Sequence, residues 1–278
     1  MLSSKIRFVV GLLVAVLALG VATLPGEAQP QPVTVDYLLQ KLFGNDNKPP
    51  YDLTADFTGV LTVTFKNGRL VVEAEGSFHE WRGADGVKHR RVIIRNLSVP
   101  FILRPFVQAL RRTVAERIEA QAENPEIFYA HDLFISAELP DNLYAVTGVH
   151  RALVDEAIDK YGKPEDKTDP ETRRKIAQWL FTSPTMRDFI VRPGPPYALQ
   201  AKIGDTGLLH DLTVYYDWGQ VSTRVAFVTI NDRTVWSSVV ADTISTLPGI
   251  GQVTGQLSLN LTNHCVDCEH SPLQQGTP

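Results

Sequence analysis

The chain has 278 residues, of which 44% are apolar, 9% aromatic and 21% charged, and its net charge is −4. These ordinary globular values exclude disordered, collagen-like, disulfide-dense and polytopic membrane chains, and they disfavour a strongly basic nucleic-acid binder. Function must be read from the arrangement of the residues.

Lys5 and Arg7 precede an uncharged run of 17 residues, Phe8–Leu24, and Gly26 and Ala28 then offer the small residues of an A-x-A-like cleavage site. Residues 1–28 are predicted to be a signal peptide, with a cut after Ala22 as the alternative site. Left uncleaved, the run would serve as an anchor, since it sits at the short edge of bilayer-spanning length. No Cys follows it, so it is not a lipoprotein signal. The expected location is periplasmic or otherwise extracytoplasmic.

Residues 33–43 predict a short helix, ended by Gly44 and the Asn45-Asp46-Asn47 cluster, with Pro49-Pro50 preventing its restart. Period two then takes over. Phe57, Leu61, Val63 and Phe65 share one face, and Thr58, Thr62 and Thr64 the other. After Lys66-Asn67-Gly68, a hairpin turn signal, Leu70, Val72, Ala74 and Phe78 alternate with polar residues. Residues 87–95 read as a third strand. At 101–123 the period changes, and Phe106, Leu110, Val114 and Ile118 form one helical stripe. The stretch 126–138 reads as strand, with Ile127, Tyr129, Leu133 and Ile135 on one face. Helices are predicted over 147–161 and 171–190, and Arg192-Pro-Gly-Pro-Pro196 is a rigid loop. The last third is strand at 207–217, 221–230, 234–246 and 253–262, and Val214 with Tyr216, and Leu257 with Leu259, lie on apolar faces.

One-sided strands belong to an antiparallel sheet wetted on one face, and strands near ten residues make that sheet twist and curl. The predicted fold is therefore α+β: a large, strongly curved antiparallel sheet, a half-open barrel, covered by helices. Residues 29–262 form its single domain, and 263–278 are a loose tail containing Cys-x-x-Cys. A gap between curled sheet and helical cover would be apolar and would suit an acyl chain. Candidate lining residues are Phe57, Leu61, Val63, Phe65, Leu70, Val72, Phe78, Phe106, Leu110, Val114, Val214, Tyr216, Leu257 and Leu259.

The pattern resembles the periplasmic lipoprotein-carrier family, the LolA/LolB-like group, which includes sensor domains of the RseB type and mycobacterial lipid-binding lipoproteins. The matching features are the leader, the short helix, Thr54-Ala55-Asp56-Phe57-Thr58-Gly59, then Glu75-Gly76-Ser77-Phe78 followed by Trp81-Arg82, and the later Tyr215-Tyr216-Asp217-Trp218-Gly219-Gln220 turn. The chain departs from the family at Arg82-Gly83-Ala84-Asp85-Gly86, where carriers have a Pro-Gly element, and in the length of its helical insert. The resemblance implies an incomplete barrel around helices that binds a ligand with an acyl chain.

No Gly-x-Ser-x-Gly, His-Glu-x-x-His or phosphate-loop motif is present. The Gly249–Gly255 stretch misses dinucleotide spacing and leads into a strand. His79, His89, His131, His150 and His210 have no partner at ligand spacing, and Asp155, Glu156 and Asp159 read as a solvated helix face. No catalytic residue, metal or cofactor is expected. Cys265 and Cys268 are expected to form a disulfide in an oxidising compartment, with metal binding and redox exchange as alternatives. Basic residues cluster at 82–95 and 104–117, and Arg90, Arg91, Arg111 and Arg112 are candidates for docking to anionic headgroups or a membrane partner. The expected partners are a lipid or lipidated protein and an inner-membrane or envelope protein, not nucleic acid. The leading expectation is an exported, non-enzymatic binding protein that holds acyl chains for transport across the envelope. The alternatives are an envelope-stress sensor or protein-interaction module on the same scaffold, and a hydrolase with an unrecognised site.

Overall fold

The computed structural model describes residues 33–44, 51–82, 88–109, 111–112, 126–183, 196–247 and 251–268. The expected leader, the part of the expected 263–278 tail beyond Cys268, the expected helical stretches 113–123 and 184–190, and the expected proline-rich loop before Pro196 lie outside them, whereas residues 263–266 of that tail are not loose but continue the last strand.

Ten strands form one fully antiparallel sheet. They are β1 (Tyr51–Phe65), β2 (Gly68–Arg82), β3 (Lys88–Ser98), β4 (His131–Leu139), β5 (Leu143–His150), β6 (Ala198–Gly204), β7 (Leu209–Tyr216), β8 (Gly219–Ile230), β9 (Arg233–Leu247) and β10 (Gly251–Val266). The order across the sheet is β3-β2-β1-β10-β9-β8-β7-β6-β5-β4, so the sheet is open, with β3 and β4 at its edges. The helices are α1 (Val35–Phe43), the single turn α2 (Glu126–Tyr129), α3 (Arg151–Tyr161) and α4 (Pro170–Thr182). A 3-10 helix spans Phe101–Phe106.

Local chemistry explains the element ends. Thr34 caps α1 by accepting from the Tyr37 N–H, and Asp169 caps α4 by accepting from Glu171 and Thr172. The β4–β5 and β8–β9 turns place Asp141-Asn142 and Asn231-Asp232 at positive φ, which these short polar residues tolerate.

The period-two pattern becomes rows that cross the sheet. Val146, Ala201, Leu212, Thr223, Ala241, Leu257, Leu61 and Val72 are register partners in turn over eight strands, and all are buried. The adjacent row, Thr147, Gln200, Thr213, Ser222, Asp242, Gln256 and Thr62, is polar and faces the other way. We call the apolar side the inner face.

The inner face curls. Phe78 on β2 and Trp236 on β9 meet edge to face with ring centroids 5.1 Å apart. Two strands lie between theirs, so in a flat sheet their backbones would be about 14 Å apart. A bulge leaves Ser237 without a register partner on β8 and turns Trp236 to the same side as Phe227. A second bulge leaves Arg95 of β3 without a register partner on β2, and beside it a Cβ at Gly76 would sit 2.0 Å from the Ile93 carbonyl oxygen and 2.6 Å from the Phe57 ring.

Helices cover the β4–β7 end on both faces. On the inner face Leu38 and Leu39 of α1 pack with Phe128, Leu199, Ile203 and Val214. On the opposite face Val154, Ala157 and Ile158 of α3 and Ala177 and Leu180 of α4 pack with Phe134 and Val149.

Two segments differ from the sequence reading. The stretch 126–138 is not one strand: α2 ends with the Ala130 N–H donating to the Glu126 carbonyl, and β4 begins at His131. The predicted helix 147–161 begins only at Arg151, because residues 143–150 are β5. Both faces of β5 are covered, Val146 by α1 and Val149 by α3 and α4, so it shows no alternation. The strand β6, which the sequence reading did not identify, alternates Leu199, Ala201 and Ile203 on the inner face with exposed Gln200 and Lys202 on the other.

Candidate ligand-binding face and edge groove

Seven of the predicted lining residues, Phe57, Leu61, Val63, Val72, Phe78, Leu257 and Leu259, fall in one buried cluster, with Phe65 and Leu70 packed at its margin. Val214 and Tyr216 belong instead to the cluster under α1. Tyr216 stacks on Trp218 at 4.5 Å, and burial raises its hydroxyl pKa. Leu110, Val114 and the Phe106 side chain lie outside the described residues.

The two apolar basins share the inner face but are divided along β8 and β9, where Thr223, Thr243 and Ser245 are buried. Among the described residues, Thr243 Oγ1, Ser245 Oγ and the Trp236 indole Nε1 are buried without a hydrogen-bond partner. Nearly all such groups in folded proteins are satisfied, and an indole N–H can be satisfied only by an acceptor. One strand, β9, therefore presents three polar atoms without a partner among the described residues to the inner face.

Beside Trp236 and Phe78 lies a buried charged cluster. Glu80 on β2 accepts from Arg90 Nε of β3 at 2.6 Å and from the Tyr51 hydroxyl of β1. Burial, and then the Glu80 charge, holds the Tyr51 hydroxyl well above its ordinary pKa, so it remains a neutral donor. Arg90 also lies over the Phe78 ring, 5.9 Å from its centroid. This corrects the docking expectation for Arg90, whose side chain is 1% exposed. On β3, Arg90 shares the inward register with Val92 and Ile94, whereas its neighbour Arg91 points out. Arg112 is exposed, whereas Arg111 is half-buried and donates to the Arg95 carbonyl at 3.5 Å. Cys265 and Cys268 form the expected disulfide. Among the described residues, no three His, Cys, Asp or Glu side chains are grouped to hold a metal ion.

Two open grooves flank the sheet. A polar trough of about 420 Å³ runs over Thr147, Thr213 and Ser222, and the Lys202–Asp211 and Arg224–Asp242 ion pairs form its walls. A groove of about 730 Å³ follows the β4 edge between α1 and the start of α4. Its floor is His131–Ile135, with Leu39 and Phe128 on the α1 side and Arg173 and Arg174 on the α4 side. Arg173 grips both Asp132 oxygens at 2.7 and 3.2 Å and donates to Asp155 at 2.6 Å, fixing α4 to β4. His131 is buried here. Its Nδ1 lies 2.6 Å from the Ile127 carbonyl, and desolvation lowers its pKa to about 4 despite the two carbonyls beside the ring. Neither groove could be foreseen from the sequence, because each depends on which strands become neighbours.

No family model matches the chain, and no curated protein matches it. Solved structures overlap it at low identity. One is a DUF1329 family protein from Desulfovibrio piger, with 10% identity over 85% of this chain and 92% of that one and a TM-score of 0.35. Another is a domain from Vibrio parahaemolyticus named for outer membrane lipoprotein sorting, with 6% identity, coverage of 87% and 95%, and a TM-score of 0.36. A third is MucB of Pseudomonas aeruginosa in its complex with MucA, with 10% identity, coverage of 82% and 95%, and a TM-score of 0.23.

Proposed function

We propose that this chain is an exported, non-enzymatic binding protein of the cell envelope that holds the acyl part of a lipid or lipoprotein against the inner face of its sheet. The observation that carries the reading is the Trp236 indole: a buried donor lacking an acceptor among the described residues, set in an apolar, inward-curled surface. A purely apolar filling would leave that donor unsatisfied, at a cost of about 1–3 kcal/mol. An acyl ester or carboxylate supplies both apolar bulk and an acceptor. The leader-like N-terminus and the carrier-like motifs around Asp56 and Gly76 support the envelope setting.

The test is native mass spectrometry of the purified chain, followed by delipidation and titration with a dansyl-labelled fatty acid. Co-purifying acyl species and saturable binding are expected, with affinity reduced about tenfold by Trp236→Phe, which removes one buried hydrogen bond worth on the order of 1.4 kcal/mol. A chain that carries no acyl species and does not bind the probe after extraction overturns the reading.

A further inference from the structure

The His150 N–H donates to the Tyr197 carbonyl, on the side of β5 away from β4. His150 and its register partner His131 are therefore a non-hydrogen-bonded pair of the β4–β5 ladder, and by the two-residue alternation so are Gly148 with Leu133 and Val146 with Ile135. The Arg151 N–H donates to the Ala130 carbonyl, which fixes the same phase independently. The N–H and C=O groups of Leu133 and Ile135 thus face outward along the groove floor, and among the described residues no strand pairs with them.

The groove walls suit an extended occupant. Leu133 leans toward α1 and Phe134 toward α4, so side chains of an added strand would meet apolar surface on both sides alternately. Gly148 leaves room for this arrangement, since a Cβ there would sit 2.4 Å from Leu133 Cδ2. The rim is basic. Arg173 is paired with Asp132 and Asp155, and Lys167 with Asp159, but Arg174 is exposed and Arg151 holds Asp132 only at 3.7 Å. Against them, Asp36 is the one other acid lining the groove among the described residues.

We infer that the β4 edge binds an extended, acidic peptide segment of a partner protein by strand addition, with Leu133 and Ile135 supplying the backbone contacts and Arg151 and Arg174 choosing the charge. This site lies at the β4 edge, in a different cluster from Trp236, and stands or falls without the acyl-binding reading. The experiment uses the full chain and a fluorescein-labelled peptide of alternating glutamate and valine, read by anisotropy and by hydrogen exchange. Saturable binding is expected, with exchange at the Leu133 and Ile135 amides slowed about tenfold or more on binding. N-methylation of alternate peptide amides in the register that faces β4 should abolish binding, and the double variant Arg151→Glu with Arg174→Glu should weaken it about tenfold. Both arginines are exposed, so the variant should keep its unfolding midpoint. Absence of binding overturns the inference, as does binding that leaves the two amides unprotected or that persists with the methylated peptide.

Discussion

Glu80 and Arg90 face each other across β2 and β3 with both side chains withdrawn from water and Nε 2.6 Å from Oε2. Such a pair resists the loss of one partner far more than the loss of both. Glu80→Ala should cost about 3–5 kcal/mol, whereas Glu80→Leu combined with Arg90→Met should recover most of that loss. Urea unfolding midpoints of the three proteins check this, and equal destabilisation by the single and double changes would contradict it.

The contact between Phe78 and Trp236 makes the curl measurable. Each truncation to Ala should cost about 3–5 kcal/mol through lost burial. Their double-mutant cycle should also show a coupling of roughly 0.5–1.5 kcal/mol, which strands three places apart in a flat sheet would lack.

His131 sets a pH response. Its folded pKa of about 4 lies below the ordinary value of 6.5, so the unfolded chain takes up the proton first. Its contribution to stability is complete above about pH 6.5 and is lost as pH falls through about 4. The total is on the order of 3 kcal/mol. Chemical denaturation between pH 7 and pH 4 should show a decline that His131→Gln reduces. His150, also lowered by burial, adds in the same direction.

The Cys265–Cys268 bridge spans a sequence separation of only three, so its entropic contribution is small, roughly 2 kcal/mol. The turn has a second tether: Asp267 accepts from the Asp52 N–H at 2.9 Å and donates its own N–H to the Asp52 carbonyl at 2.7 Å. Cys265→Ser with Cys268→Ser should therefore fold, with a modestly lower Tm by calorimetry and unchanged far-UV circular dichroism.

The parts legible in the sequence were those with one wet and one dry face. Alternation around Leu61, Val63 and Leu257 located strands β1 and β10 and identified their inward residues. It was silent for β5, because Val146 and Val149 are buried on opposite sides, whereas β6 does alternate, but its run from Leu199 to Ile203 is short and follows a proline-rich loop. A basic run at 88–95 read as surface, although alternation alone places Arg90 with Val92 and Ile94. The polar atoms of Trp236, Thr243 and Ser245 gave no signal, since a residue's identity does not say whether its hydrogen bond is made. The β4 groove was invisible for a topological reason: an edge exists only once the whole order of strands is known.

That order also sets the timing of assembly. The first strand, β1, and the last, β10, are neighbours in the middle of the sheet, and Leu53 pairs with Val266. A chain emerging from its N-terminus can form the β1–β2–β3 arm and the β4–β9 meander early, but among the described strands only β10 pairs with both. High contact order of this kind slows folding. Until β10 is made, two apolar half-sheets wait with open flanks, and such exposed edges favour association between nascent copies.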